Sequence, residues 1–424
     1  MDLDTLRNYY GSLVVVITFL SRIIFVGFCW SYGTVIVQFK KENSTISNTE
    51  LSWIGSIGQS FGGLLAPLIF FLARRYGYQI AFIFSLITCV ISLLISSTIR
   101  NLHWLLITYS IPYGFANSVI FILGTLICGL YYPVSQYSKH ILVMCIISTG
   151  FPLGYHVMSA LIFSSIEHHG WQSMKRRIAL LELFASCILG PLFTTKYLPS
   201  TAPDHRRMSI AVIQNNNNRK TYFSLTIIVW MLGIFTTVSA VNNFLLHLHI
   251  YLEHLHVAPA HADFWFRLHG LCDALFRLLI PFFIRFYPIN IIYLFPICVF
   301  TGFIFLILTF GLYTSVHALA VLSIALFSFT SAVTTSLQYT VSNQLFENDQ
   351  TEQGYVYHVI ITSLGLIIGP VVGGKLLDIT ENYKSIILTS MVFLIISFIS
   401  FNVTILLLKK QKKNELEQNQ ISTL

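Results

Sequence analysis

Two residues one helical turn apart stand out among the long apolar stretches of this 424-residue chain: Asp273 and Arg277, in the run Asp273-Ala274-Leu275-Phe276-Arg277. At i, i+4 spacing their side chains share one helical face, about 40° apart, and can reach each other. A charge near the centre of a bilayer costs roughly 2.5–3.5 kcal/mol even on lenient insertion scales, so such groups face a partner or a wet cavity. The pair can serve as a transport switch. The guanidinium can hold a carboxylate in a bidentate fork, while the aspartate takes a proton or exchanges partners. The blander alternative is a static salt bridge that fixes its helix.

His269 lies one turn before Asp273 and extends the stripe. An imidazole titrates near physiological pH and can report acidity to the pair; the preferred reading is an interfacial histidine at the start of a span. Arg22, about a dozen residues into the first apolar run, is too deep for easy snorkelling and is expected to face the bundle interior. It either adds positive charge to a pathway or pairs with a carboxylate or backbone carbonyl. Glu182, nearer the start of its run, reads as interfacial. His247, His249, His254, His256 and His261 match no compact zinc spacing and lack cysteine ligands, so neither a metal nor a cofactor is expected. The seven cysteines fall mostly inside apolar runs without a CxxC pair and read as packing residues. No nucleophile, base and orienting group assemble into a recognisable motif, so an enzyme is not expected.

The elements that hold these residues are membrane spans. The chain is 55% apolar and 10% charged, against roughly 25% charged in soluble domains. Apolar runs of about twenty residues recur from end to end, each long enough to cross a hydrocarbon core of about 30 Å as a helix. Spans are expected at 11–39, 51–73, 78–99, 104–130, 141–163 and 178–197, then at 221–250, 264–286, 289–312, 316–341, 354–379 and 384–408. The polar stretch 198–220, with its Asn215–Asn218 run, separates two groups of six. The expected organisation is an all-α membrane protein of twelve helices: an amino-terminal half (1–197), a cytosolic linker (198–220), a carboxy-terminal half (221–408) and a cytosolic tail (409–424).

The net charge of +8 is scattered over short loops, which reads as topogenic charge and not as a nucleic-acid surface. With a cytosolic amino terminus, inner segments hold fourteen Lys and Arg and outer segments seven, which favours both termini inside. Lys175, Arg176 and Arg177 run against this count, because the topology places them outside. Met1–Tyr10 carries no cleavable signal pattern, so the first run is expected to remain as a span. The sequon Asn43-Ser44-Thr45 falls in the first outer loop. Glycines and prolines in 58–67, 150–154 and 365–374 suit close helix packing or gating bends.

Several short stretches resemble the monocarboxylate transporter family of the major facilitator superfamily. These are Gly27-Phe28, Ser52-Trp53-Ile54-Gly55-Ser56-Ile57, Arg75-Tyr76-Gly77, Tyr131-Tyr132 and Gly170-Trp171 in the first half. In the second half they are Asp273 to Arg277, and Ile368-Gly369-Pro370 with Gly374-Lys375, Asp378 and Tyr383-Lys384. The resemblance covers nearly the whole chain in order. It implies two six-helix halves rocking about a central site, and a multi-pass protein of the plasma membrane that carries small organic acids, in some members with a proton. Some relatives use an accessory single-span subunit; nothing in this sequence indicates one.

Departures from the family pattern matter equally. Proton-coupled lactate carriers have a lysine seven residues after the glycine of the first "GF" pair, and Thr34 stands there. Arginines expected after Gly77 and Trp171 are Gln79 and Gln172, and the pocket-limiting aromatic of span 10 falls on Gln338. The resemblance therefore implies a central site near Asp273, Arg277 and Thr34, with Trp30, Phe61 and Gln338 as candidate walls. Two other readings stay open: a pH-independent facilitator of neutral or aromatic amino acids, motivated by Thr34 and Gln338, and a receptor or scaffold without transport.

Overall fold

The computed structural model describes residues 3–42, 46–99, 101–196, 224–287, 289–311, 317–346 and 351–422. Every regular element among them is helical. The linker 198–220 and the sequon at Asn43 lie outside the described residues.

In the first half, α1 covers 3–42, α2 covers 48–76, α3 is Tyr78–Ser96 and α4 is Leu106–Tyr131. A continuous helical stretch, Tyr137–Leu192, follows; it reverses at Gly170, whose φ of 73° is a left-handed conformation that suits glycine. This divides it into α5 (137–169) and α6 (171–192). Hydrogen bonds confirm the reversal. Gln79 donates to the Pro191 carbonyl while Lys175, at the opposite end of α6, donates to Ser96, so α6 runs antiparallel to α3. In the second half, α7 is Leu225–His254, α8 is Pro259–Phe286 and α9 is Leu294–Gly311. Helix α10 comprises His317–Ser336 and Gln338–Leu345, α11 is Thr351–Thr380 and α12 is Lys384–Ser422.

Among the described residues, eight helices are long and apolar enough to cross a membrane, and nine when the two parts of α2, bent by 55°, count as one span. The longest, Val134–Leu192, has the length of two spans. Helices α8 and α10 occupy the remaining expected positions: α8 is too charged to pass, and the apolar stretch of α10, Ile324–Ser336, is shorter than a span. The first carries Asp263, Arg267, Asp273, Arg277 and Arg285; the second is rich in Ser and Thr. Asp263, Asp273 and Arg277 of α8 and Ser328, Thr330, Ser331 and Thr334 of α10 are buried against other helices, where their cost in lipid is avoided, while Arg285 is exposed near the end of α8.

Small residues set the closest approaches. A Cβ on Gly27 would lie 2.5 Å from the Gly154 backbone, and one on Gly154 would lie 2.5 Å from the Ile23 carbonyl, so α1 and α5 touch backbone to backbone. Buried apolar side chains form two clusters, one drawn mainly from α1–α6 and the other mainly from α7–α12. They interlock: Leu246 and Tyr355 join the first, and Phe151 and Tyr155 join the second.

Three expectations are corrected. Glu182 is fully buried between helices and not interfacial. Lys175 belongs to α6 and points inward, buried against Ser96 and the rings of Tyr109 and Trp171, so it is not a loop charge. His269 is likewise fully buried and not interfacial; α8 begins ten residues before it, at Pro259.

Candidate functional site

A cavity lies where the two groups of helices meet. Val26 and Trp30 of α1, Gln59 and Ser60 of α2, and Asn117 and Phe121 of α4 form one wall, with Phe151 of α5. Val238 and Val241 of α7, Ser331, Thr335 and Gln338 of α10, and Thr362 and Ser363 of α11 form the other. It leaves about 70 Å³ open to the centre of a water molecule, room for several waters by the usual minimum of roughly 10–15 Å³ for one. Its polar lining is amide and hydroxyl, with no ionisable side chain among the lining residues. The Asn117 amide oxygen and the Thr362 hydroxyl have no hydrogen-bond partner within the described residues.

The charges stand one layer behind this wall. Arg277 and Asp273 are both fully buried and form a two-pronged pair: Nε donates to Oδ1 at 2.7 Å and Nη2 to Oδ2 at 3.0 Å. Ser331 holds both partners, donating to Asp273 Oδ2 at 3.0 Å and lying 3.3 Å from Arg277 Nη2. Arg277 Nη1 also reaches Ser336 at 3.3 Å. The Arg277 guanidinium stacks 4.1 Å from the Phe151 ring centroid, a cation–π contact that strengthens on desolvation. Because Phe151 and Ser331 line the cavity, the pair touches its wall through them. The i, i+4 spacing read from the sequence produces the expected contact.

Arg22 repeats the arrangement across the cavity. It is buried, stacks 4.2 Å from the Phe121 centroid, and donates to the Phe121 carbonyl at 3.0 Å and to Thr125 at 2.5 Å. Of the two readings left open for it, the carbonyl partner is present, and Phe121 places it at the cavity wall as well. Arg22 opens a five-residue π-helical turn, Arg22–Val26, a distortion common at functional sites.

His269 joins the pair from the side. Its Nδ1 lies 2.9 Å from the Tyr155 hydroxyl, which lies 3.5 Å from Asp273 Oδ2. Trp30 and Gln338 line the cavity as expected; Phe61 does not. Thr34 does not line it either: it is buried beside α7, with its hydroxyl 3.4 Å from His249 Nε2. His247 is held by Ser52 at 2.9 Å and by the Asn243 carbonyl at 2.9 Å. No group of three or more potential metal ligands occurs among the described residues.

Sequence reasoning missed a second ion pair on α8. Arg267 lies 2.8 Å from Asp263, which is buried and also receives a hydrogen bond from Ser159 of α5. The same i, i+4 spacing could have found it.

The model of the Major Facilitator Superfamily matches residues 18–341 and 225–423. A relative, monocarboxylate transporter 9 of Rattus norvegicus, is 24% identical over 221 residues, which are 50% of this chain and 42% of that protein. The matched region thus spans less than half the length of that relative. The crystal structure of the human organic anion transporter MFSD10 (TETRAN) superposes with a TM-score of 0.69 at 15% identity, covering 92% of this chain and 99% of that one. The crystal structure of a D-xylose-proton symporter does so with a TM-score of 0.69 at 12% identity, covering 93% and 97%. The chain belongs to the major facilitator superfamily, a family of membrane transporters and not of enzymes, and within it resembles the monocarboxylate transporters.

Proposed function

We propose that this protein moves small organic acids across the plasma membrane by alternating access of two six-helix halves, with the Asp273–Arg277 pair as its switch. The observation that carries the reading is the placement of that pair: fully buried, yet joined to the cavity wall through Phe151 and Ser331. An entering carboxylate competes with Asp273 for the guanidinium. Asp273, losing its cation, then takes a proton or leans on Ser331 and Tyr155, whose hydroxyls already reach it. Removing one partner from a buried pair leaves an uncompensated charge, roughly 3–5 kcal/mol, so substrate arrival and rearrangement are energetically tied. The relative named for monocarboxylates and the structural neighbour named for organic anions support an acidic substrate. The neighbour named for proton symport supports a coupled proton.

One observation favours a second reading. The lining itself is neutral, with Gln338 and the unpartnered Asn117 amide oxygen and Thr362 hydroxyl among its polar groups, which suits a neutral or zwitterionic solute carried without a proton. Uptake of labelled monocarboxylates and amino acids into proteoliposomes at two external pH values separates the two. Acid-stimulated monocarboxylate uptake supports the first, and pH-independent amino-acid uptake the second. Saturable binding with no flux of any solute would instead indicate a receptor or scaffold.

A further inference from the structure

Glu182 lies inside the amino-terminal helices, facing residues of α1, α3 and α4, and the transport reading makes no use of it. It is fully buried on α6. Its Oε1 is hydrogen-bonded to the Tyr113 hydroxyl of α4, and its Oε2 has no partner among the described residues. The same Tyr113 hydroxyl lies 3.1 Å from the carbonyl oxygen of Phe25, within the π-helical turn of α1.

Proton counting decides what this means. A phenol has one proton and a backbone carbonyl can only accept, so the Tyr113 proton that serves Phe25 cannot also serve a carboxylate. If Glu182 is ionised, Tyr113 can serve only one of the two oxygens, Oε2 keeps no donor, and a bare charge remains in a dry site. If Glu182 is a carboxylic acid, it donates to Tyr113, Tyr113 donates to Phe25, and both bonds are made. The titratable groups facing Glu182 are Tyr113 and Tyr109 from α4, Cys29 from α1 and Cys89 from α3. All are neutral in their ordinary state, and none supplies a cation. Lys175, two turns earlier on α6, is committed to Ser96 and to the rings of Tyr109 and Trp171.

We infer that Glu182 is a second proton-binding site, protonated at neutral pH and wired through Tyr113 to the distorted turn of α1 that forms the cavity wall. Val26, next to Phe25, lines the cavity, as does Asn117, one turn beyond Tyr113. Loss of the proton turns the phenol toward the carboxylate and withdraws its bond from the Phe25 carbonyl. The turn is then released beside the cavity, a route by which a proton in the first half acts on the solute site.

The functional side of this proposal rests on the transport reading, so its test has a spectroscopic arm that does not. In the purified full-length protein in lipid, infrared spectra at neutral pH show the carbonyl stretch of a protonated carboxylic acid. That band disappears in Glu182→Gln and persists in Asp273→Asn. Tyr113→Phe keeps the band and moves it to higher wavenumber as the phenol bond is lost. A band unaffected by Glu182→Gln overturns the site, and if that variant does not fold, an unshifted band in Tyr113→Phe overturns it equally. In the transport arm, wild-type uptake falls as the pH rises through the range in which the band fades, whereas Glu182→Gln, fixed in the neutral form, holds its rate. Identical pH profiles in the two proteins would sever the site from the cavity. The spectroscopic result stands whether or not a given solute is carried.

Discussion

Thr49 and Asp378 join the two groups of helices at one end of the bundle: the Thr49 backbone N–H and hydroxyl both donate to Asp378 Oδ2, at 2.9 and 2.6 Å. Asn48 does the same to Oδ1, with its N–H at 3.0 Å and its side-chain amide at 2.7 Å. One carboxylate of α11 thus satisfies the otherwise unpaired first donors of α2, while Ser47 takes the Glu50 N–H at 3.1 Å. The contact ties the start of α2 to the end of α11. Asp378→Ala removes it, and a net loss of about 1 kcal/mol, by the ordinary worth of an exposed hydrogen-bonded set, shifts the closed-to-open ratio roughly fivefold. The rate at which a membrane-impermeant thiol reagent reaches a cysteine placed at His247, in an otherwise cysteine-free protein, measures it. An unchanged rate means that Asp378 does not hold the closure.

Asp273→Asn and Arg277→Gln each abolish uptake while leaving surface expression largely intact. Ser331→Ala, which removes one shared hydrogen bond worth about 1 kcal/mol, slows uptake without abolishing it. The double swap Asp273→Arg with Arg277→Asp separates a required charge pair from a required orientation. Normal uptake by both single variants would make the pair a structural brace.

Close packing of α1 on α5 sets a third expectation. Gly154→Val places a branched side chain where even a Cβ meets the Ile23 carbonyl at 2.5 Å. Overpacking of this kind costs typically 1–3 kcal/mol. The thermal midpoint of the detergent-solubilised protein falls, and a midpoint equal to the wild type would show that the helices separate at no cost.

Thr34 remains the most useful departure from the lysine-bearing relatives it resembles. Its hydroxyl cannot titrate in the physiological range, so uptake is expected to depend less on pH than in those relatives, and Thr34→Lys to steepen the dependence by adding an ammonium beside His249. Initial uptake rate against external pH, at fixed membrane potential, is the measurement. A steep wild-type dependence that the substitution leaves unchanged removes Thr34 from the coupling.

Apolar run length made the helices legible, and i, i+4 spacing made the Asp273–Arg277 contact legible, because both are local properties of a helix. What the sequence hid depends on how helices face one another. Glu182 and His269 looked interfacial because distance along a span says nothing about which neighbour covers a side chain. Lys175 looked like loop charge because the turn at Gly170 lies five residues before it, so that α6 begins earlier than its apolar run. Asp378 appeared only as part of a resemblance, since its partners lie more than three hundred residues away. Phe61 was expected at the cavity and lies off it because α2 presents Gln59, Ser60 and Gly63 there, and Thr34 because the lining on α1 ends one turn before it, at Trp30.

The central claim is transport of an organic acid through the buried pair, and the most direct measurement is uptake of labelled monocarboxylates into proteoliposomes. Wild type, Asp273→Asn and Arg277→Gln are compared with and without an inward proton gradient. The account predicts saturable uptake by the wild type, faster with the gradient, and none by either variant although all three reconstitute equally. Wild-type liposomes that take up no monocarboxylate under either condition, or variants that match the wild type, would contradict it.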